Sequence, residues 1–248
     1  PACGGCRMWP YAGEAEAVRD VLRLSRGMSY KNAMAGLPLG GGKSVIIGDS
    51  RKDKSDALFR AFGRVIDSLN GRYIAAEDVG ITVADVHTMG QTTRHVAGLS
   101  KGDAASGDPS PFTAYGVFLG IKAAVKHKLG LDTVKGLRVA VQGLGNVGSH
   151  LCRHLAEEGA VLLVGDIHPD TVTRMVDQFG AIAVDPAAIL GVEADVFAPC
   201  ALGAVLNERS LPEIKASIVA GGANNQLATD AVGEMVRQAG ILYAPDYV

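Results

Sequence analysis

Lys43 closes the run Gly36-Leu-Pro-Leu-Gly40-Gly-Gly-Lys43-Ser44, and Asp78 follows the short apolar run Tyr73-Ile74-Ala75-Ala76 next to Glu77. A lysine and a carboxylate that meet can exchange protons with a substrate, and burial can destabilise the ammonium form so that the amine acts as a base. Lys31, twelve residues before Lys43, is a second cation able to hold an anionic substrate group. Three consecutive glycines bury no side chain and cost backbone entropy, so they mark a place where another group approaches the backbone, and a ligand beside Lys43 is the expected one. The run is not a phosphate-binding P-loop. Leu37 stands where the first glycine of that motif is required, and Val45-Ile46-Ile47 reads as a strand where a P-loop needs a helix.

A second glycine run, Gly143-Leu-Gly145-Asn-Val-Gly148, has the context that gives Gly-x-Gly-x-x-Gly a meaning. The apolar segment Leu137 to Gln142 precedes it as a strand, a helix to about Glu158 follows, and Asp166 ends the next strand eighteen residues beyond Gly148. In such a turn Gly143 makes the bend, Gly145 admits a pyrophosphate and Gly148 lets the helix pack on the sheet. Asp166 would bond the ribose hydroxyls and repel a 2′-phosphate, and Ile167-His168-Pro169 offers no arginine beside it, so NAD is expected rather than NADP.

Around these residues, Glu14 to Met28 and Ser55 to Leu69 have apolar residues at helical spacing, and Thr82 to Met89 can continue Asp78 as a helix. Lys101 to Pro111, rich in Gly, Ser, Asp and Pro, is expected to be a hinge. A helix from Thr113 and a strand–helix alternation follow, the pattern of a parallel sheet. The fold expected is therefore α/β with two domains: residues 1–112 as an α/β substrate domain and 113–248 as a Rossmann-type, doubly wound dinucleotide-binding domain, with a cleft between. The chain has 248 residues, 48% apolar and 20% charged, with 24 Lys and Arg against 26 Asp and Glu. That balance gives no basic surplus for nucleic acid, and no apolar run approaches the ~20 residues a membrane helix needs. Four scattered cysteines suit a reducing cytoplasm, and Cys3-x-x-Cys6 has no second pair to complete a metal site.

These stretches, together with Gly4-Gly-Cys-Arg-Met8, Met28-Ser-Tyr-Lys-Asn32, Ala75-Ala-Glu-Asp-Val-Gly80, Gly107 to Gly116, Ala198-Pro-Cys-Ala-Leu-Gly203 and Ala220-Gly-Gly-Ala-Asn-Asn225, run in one order along nearly the whole chain. In that order they resemble the Glu/Leu/Phe/Val dehydrogenase superfamily of amino acid dehydrogenases, and most closely its leucine-using members. The resemblance implies reversible oxidative deamination of an L-amino acid to its 2-oxo acid and ammonia. It implies Lys43 as the lysine that activates water, Asp78 as its acid/base partner and Lys31 as the clamp on the substrate α-carboxylate. Gly4, Gly5 and Met28 would line the pocket and Asn225 would lie close to substrate and nicotinamide. Thr113, Asn146, Val147, Cys200, Ala201 and Asn224 match positions around the cofactor. Glutamate-using members carry a lysine where this chain has Cys3, so an apolar side chain is expected, with leucine, valine and phenylalanine as candidates. Family members extend beyond both ends, so the chain, which opens at Pro1, is expected to be a piece of a longer homo-oligomeric protein.

Overall fold

The strand β1 (Ala2–Trp9) is the axis of the first half of the chain in the computed structural model, which describes residues 1–99 and 108–248. It is followed by α1 (Glu14–Met34), β2 (Gly40–Gly41), β3 (Ser44–Ile47), α2 (Asp56–Ser68), β4 (Tyr73–Ala76) and α3 (Val83–Gly90). All three other strands run parallel to β1: β4 pairs with Ala2 to Gly5, β2 with Ala2 and Cys3, and β3 with Cys6 to Trp9. The register of β2 and β3 on β1 is the same, so they are one strand interrupted at Gly42 and Lys43, and Lys43 falls level with Gly5. Cys6 and Met8 of β1 pack into a core with Phe59 and Ile66 of α2 and Val86 and Met89 of α3. The alternation of a strand turns Arg7 to the opposite face, where α1 lies.

The second half contains α4 (Ser110–Leu129), β5 (Arg138–Gln142), α5 (Asn146–Glu157), β6 (Val161–Gly165), α6 (Pro169–Phe179), β7 (Ile182–Ala183), β8 (Val196–Pro199), β9 (Ile218–Ala220), α7 (Asp230–Gln238) and β10 (Leu242–Ala244). Its six strands are all parallel in the order β10-β9-β8-β5-β6-β7. The chain moves outward from β5 through β6 to β7, then returns to place β8 on the other side of β5. That reversal opens a crevice at the carboxyl ends of β5 and β8, the place where open α/β sheets bind ligands. Both faces are covered: Val139, Val141, Leu162 and Val164 pack on one side, and Ala140, Leu163, Phe197 and Val219 on the other.

Two compact units result, residues 1–109 and 110–246 apart from the last two residues. The sheets, their parallel sense and the doubly wound order agree with the α/β class read from the sequence. Lys101 to Gly107 of the expected hinge lie outside the described residues, and α4 already begins at Ser110.

Two local expectations change. The helix expected to end at Met28 continues to Met34. Its polar residues there bind the neighbouring strand: the Ser29 hydroxyl accepts from the Gly41 N–H at 3.1 Å, and the Asn32 amide donates to the Gly40 carbonyl at 2.9 Å. Gly36, with φ of 65°, follows the end of the helix in the left-handed conformation common there. The glycines of the Lys43 run also have a different cause. A Cβ on Gly41 would strike the backbone of α1 at Ser25 and Ser29, and one on Gly42 would meet the Tyr73 ring and Ala2, so the close neighbour is the chain itself.

Candidate active site

Lys43 and Asp78 leave adjacent strands on either side of β1 and meet over Gly5. Lys43 Nζ lies 3.4 Å from Asp78 Oδ2, with side chains only 6% and 12% exposed. Gly5 permits this, because a Cβ there would collide with the Glu77 carbonyl and the Asp78 side chain. Gly4 is closed in the same way by the Gly42 carbonyl and the side chain of Met28. Tyr73 secures the pair: its hydroxyl donates to the Gly4 carbonyl at 2.8 Å and lies 2.8 Å from the Ser44 hydroxyl. The structure thus brings Gly4, Gly5, Met28, Lys43 and Asp78 together. Lys31, on the last turn of α1, is near enough for its charge to act on Lys43.

Burial is the largest influence on both ionisable partners. It disfavours the charged form of Lys43, Asp78 opposes that, and the charges of Arg7 and Lys31 add to it, leaving the amine below the ordinary lysine value of 10.5. Burial would raise Asp78, but Lys43 and Arg7 together outweigh it and hold the carboxyl below its usual range. A lysine whose proton is held less tightly than usual therefore stands beside a carboxylate whose charged form is favoured. Cys3 and Cys6, three apart on β1, point to opposite faces, so they do not form a redox pair; Cys6 is buried in the core and Cys3 faces Lys43.

Sequence reasoning gave Arg7 no role. Its Nε donates to Asp78 Oδ2 at 2.8 Å, closer than Lys43, and its Nη1 donates to Asp20 Oδ2 at 3.0 Å. The Tyr11 hydroxyl donates to the same Asp20 oxygen at 2.6 Å. The available signal was the alternation of Arg7 with buried Cys6 and Met8, which becomes visible once Ala2–Trp9 is read as a strand.

In the second unit the glycine turn sits at the crevice between β5 and β8. Gly143, with φ of 91°, lies against Ala201, and Gly148 packs against the Gly143 carbonyl and Cys200. At Gly145 nothing stands within 4 Å of a would-be Cβ, so this is the turn's open position, and the N-terminus of α5 has no side-chain cap. Asn146 and Val147 form the first turn of that helix. The Asp166 carboxylate is aimed by two backbone groups, accepting from Leu144 N–H at 2.6 Å and His168 N–H at 2.8 Å, which ties it to the glycine turn. Asn225, with φ of 51°, accepts a hydrogen bond from Ala204, and its side-chain nitrogen is buried without a protein partner. Asn224 precedes it against Gly203, and Thr113 is exposed on the first turn of α4. An open glycine, an uncapped helix start and an oriented carboxylate fit the pyrophosphate and ribose of a dinucleotide.

Comparison with known proteins bears on both units. Residues 1–95 match the model of the Glu/Leu/Phe/Val dehydrogenase dimerisation domain, and residues 106–168 and 168–248 match the Glutamate/Leucine/Phenylalanine/Valine dehydrogenase model. Leucine dehydrogenase of Geobacillus stearothermophilus is 60% identical over 248 residues, all of this chain and 68% of that protein. Valine dehydrogenase of Streptomyces virginiae is 48% identical over 251 residues, again all of this chain and 70% of the relative. The crystal structure of L-tryptophan dehydrogenase from Nostoc punctiforme superposes with a TM-score of 0.76 at 49% identity, covering all of this chain and 70% of that one. With a buried lysine–carboxylate pair in one unit, a Gly-x-Gly-x-x-Gly turn in the other and matches over nearly every residue, the chain belongs to the Glu/Leu/Phe/Val dehydrogenase family.

Proposed function

We propose that this amino acid dehydrogenase oxidatively deaminates an aliphatic, leucine-like L-amino acid to its 2-oxo acid and ammonia, reversibly and with NAD. The observation that carries the reading is the Lys43–Asp78 pair, buried over Gly5 beside the cation Lys31. Lys31 holds the substrate α-carboxylate, and Met28 with Gly4 and Gly5 bounds the space in which the α-carbon sits. Lys43, whose proton is held less tightly than that of an exposed lysine, takes a proton from the water that attacks the imino carbon, and Asp78 exchanges protons with the departing nitrogen. NAD, when bound, would supply the nicotinamide acceptor for the α-carbon hydride. Gly143, Gly145, Asn146, Val147 and Gly148 hold its pyrophosphate at the start of α5, with Cys200 and Ala201 backing the turn. Asp166 receives the adenosine ribose hydroxyls, and its negative charge selects against a 2′-phosphate. Thr113, Asn224 and Asn225 line the nicotinamide side.

An apolar substrate follows from Cys3, which offers no charge to a side-chain carboxylate, and from the names of the most similar relatives. Valine and tryptophan dehydrogenases near 50% identity show how far side-chain preference varies on this scaffold. The match of residues 1–95 to a dimerisation domain supports a homo-oligomer. The test is NADH formation with leucine, isoleucine, valine, phenylalanine and tryptophan, compared by kcat/KM. Leucine is expected to lead, and no turnover with any of the five would refute the reading. Lys43→Ala should lower kcat by at least about 100-fold while NADH affinity stays within about twofold. Equal loss of both would reassign Lys43 to cofactor binding.

A further inference from the structure

The catalytic pair ends a connected row of polar groups whose other members the proton chemistry does not use. It runs Tyr11, Asp20, Arg7, Asp78, Lys43, alternating in charge from Asp20 onward. Arg7 is only 8% exposed, an unusual site for a guanidinium unless every donor is committed. Different sides of its guanidinium hold two carboxylates, Asp78 through Nε and Asp20 through Nη1, so the group is fixed at both ends. Asp78 Oδ2 takes Arg7 at 2.8 Å and Lys43 at 3.4 Å, making the arginine its tighter partner. A guanidinium does not release its proton at any working pH, whereas an amine does.

Resting on the dehydrogenase reading, we infer that Arg7, oriented by Asp20 and Tyr11, is a positioning residue that holds the Asp78 carboxylate in place beside Lys43 and sets, through its fixed charge, how tightly Lys43 holds its proton. The ordinary alternative is that Arg7 only staples β1 to α1. The two differ in what the charge of Arg7 does to the reaction. Its positive charge disfavours a proton on Lys43, so removing it should make Lys43 hold its proton to higher pH. Asp20 has the reverse effect, because neutralising it leaves the positive charge of Arg7 uncompensated. The other groups that act on the pair are Lys31 of α1, Cys3 and Cys6 of β1, Tyr73 of β4 and Glu77, and the substitutions leave all of them in place.

The experiment is the pH dependence of kcat/KM for leucine oxidation by the full-length protein and its Arg7→Met, Arg7→Lys and Asp20→Asn variants, with the urea midpoint of Trp9 fluorescence measured in parallel as a check that the first unit is folded. Titration of the substrate is common to all four and cancels in the comparison. The acid limb is expected to move to higher pH by about one unit in Arg7→Met and to lower pH in Asp20→Asn. Arg7→Lys, which restores charge without the fork, should return the limb towards the wild-type position while kcat stays reduced about tenfold. Limbs that coincide with wild type, with only the amplitude lowered, would overturn the inference and leave Arg7 a staple. Should Arg7→Met fail to fold, the direction of the Asp20→Asn shift decides alone: a move to lower pH supports the inference, and no move or the opposite move overturns it. A wild-type protein that forms no NADH would refute the dehydrogenase reading and this inference with it, a result distinct from an active enzyme with unmoved limbs.

Discussion

The role proposed for Lys43 rests on its placement, since a lysine in water is mostly protonated below about pH 10. Burial and the neighbouring cations Arg7 and Lys31 lower it, Asp78 partly restores it, and the net direction is downward from 10.5. The neutral form needed to activate water therefore appears at lower pH than for an exposed lysine. The expected outcome is that kcat for deamination rises with pH along a limb whose midpoint lies below 10.5 and then levels; a rate still climbing beyond that value would contradict the assignment. Tyr73 acts on geometry instead. Burial pushes its phenol well above the usual range, so it stays protonated and donates to the Gly4 carbonyl. Tyr73→Phe removes that bond beneath the proposed substrate site. It should raise KM for the amino acid about tenfold with NADH affinity unchanged, as separate titrations of the two ligands would show.

At the level of elements, the two glycine runs do opposite work, and substitution separates them. Gly41 lies against the backbone of α1, so Gly41→Ala forces β2 away from the helix that carries Lys31 and should cost roughly 1–3 kcal/mol, read as a lower melting temperature. Gly145 has open space above its Cα, so Gly145→Ala should melt like wild type yet bind NADH more weakly. Equal melting losses in both would remove the distinction. The same contrast marks what was legible in the chain. The dinucleotide turn is local, a strand, three spaced glycines and a helix within about twenty residues, and its elements read directly from periodicity and turn chemistry. Strand β1 was not legible as a strand because Gly4 and Gly5 lower strand propensity and Arg7 breaks the apolar run. The last turns of α1 looked like loop because Ser29 and Asn32 are polar, and their partners, Gly41 and Gly40, are a strand away. Lys43 and Asp78 stood out by type and context, while Arg7 and Asp20 required knowing that β1 and α1 pack face to face.

Across the whole molecule, the Lys43–Asp78 pair and the Gly143 to Gly148 turn fall on units with separate cores. The first packs α2 and α3 against one sheet around Cys6 and Met8, and the second buries both faces of a six-stranded sheet. The chain's one tryptophan, Trp9, ends β1 and so reports on the first unit alone, whereas amides of β5 and β8 report on the second. A ligand stabilises the unit it binds by RT ln(1 + [L]/Kd), about 2.7 kcal/mol at a hundred times Kd. With NAD at that concentration, the urea midpoint of β5 and β8, followed by pulsed hydrogen exchange, should rise by about 1 M. The Trp9 fluorescence midpoint should not move. A Trp9 midpoint that rises in step with β5 and β8 would show that the two units unfold as one cooperative body. A Trp9 midpoint that rises alone would place the cofactor in the first unit, and Gly143 through Gly148 with Asp166 would then have no part in holding it.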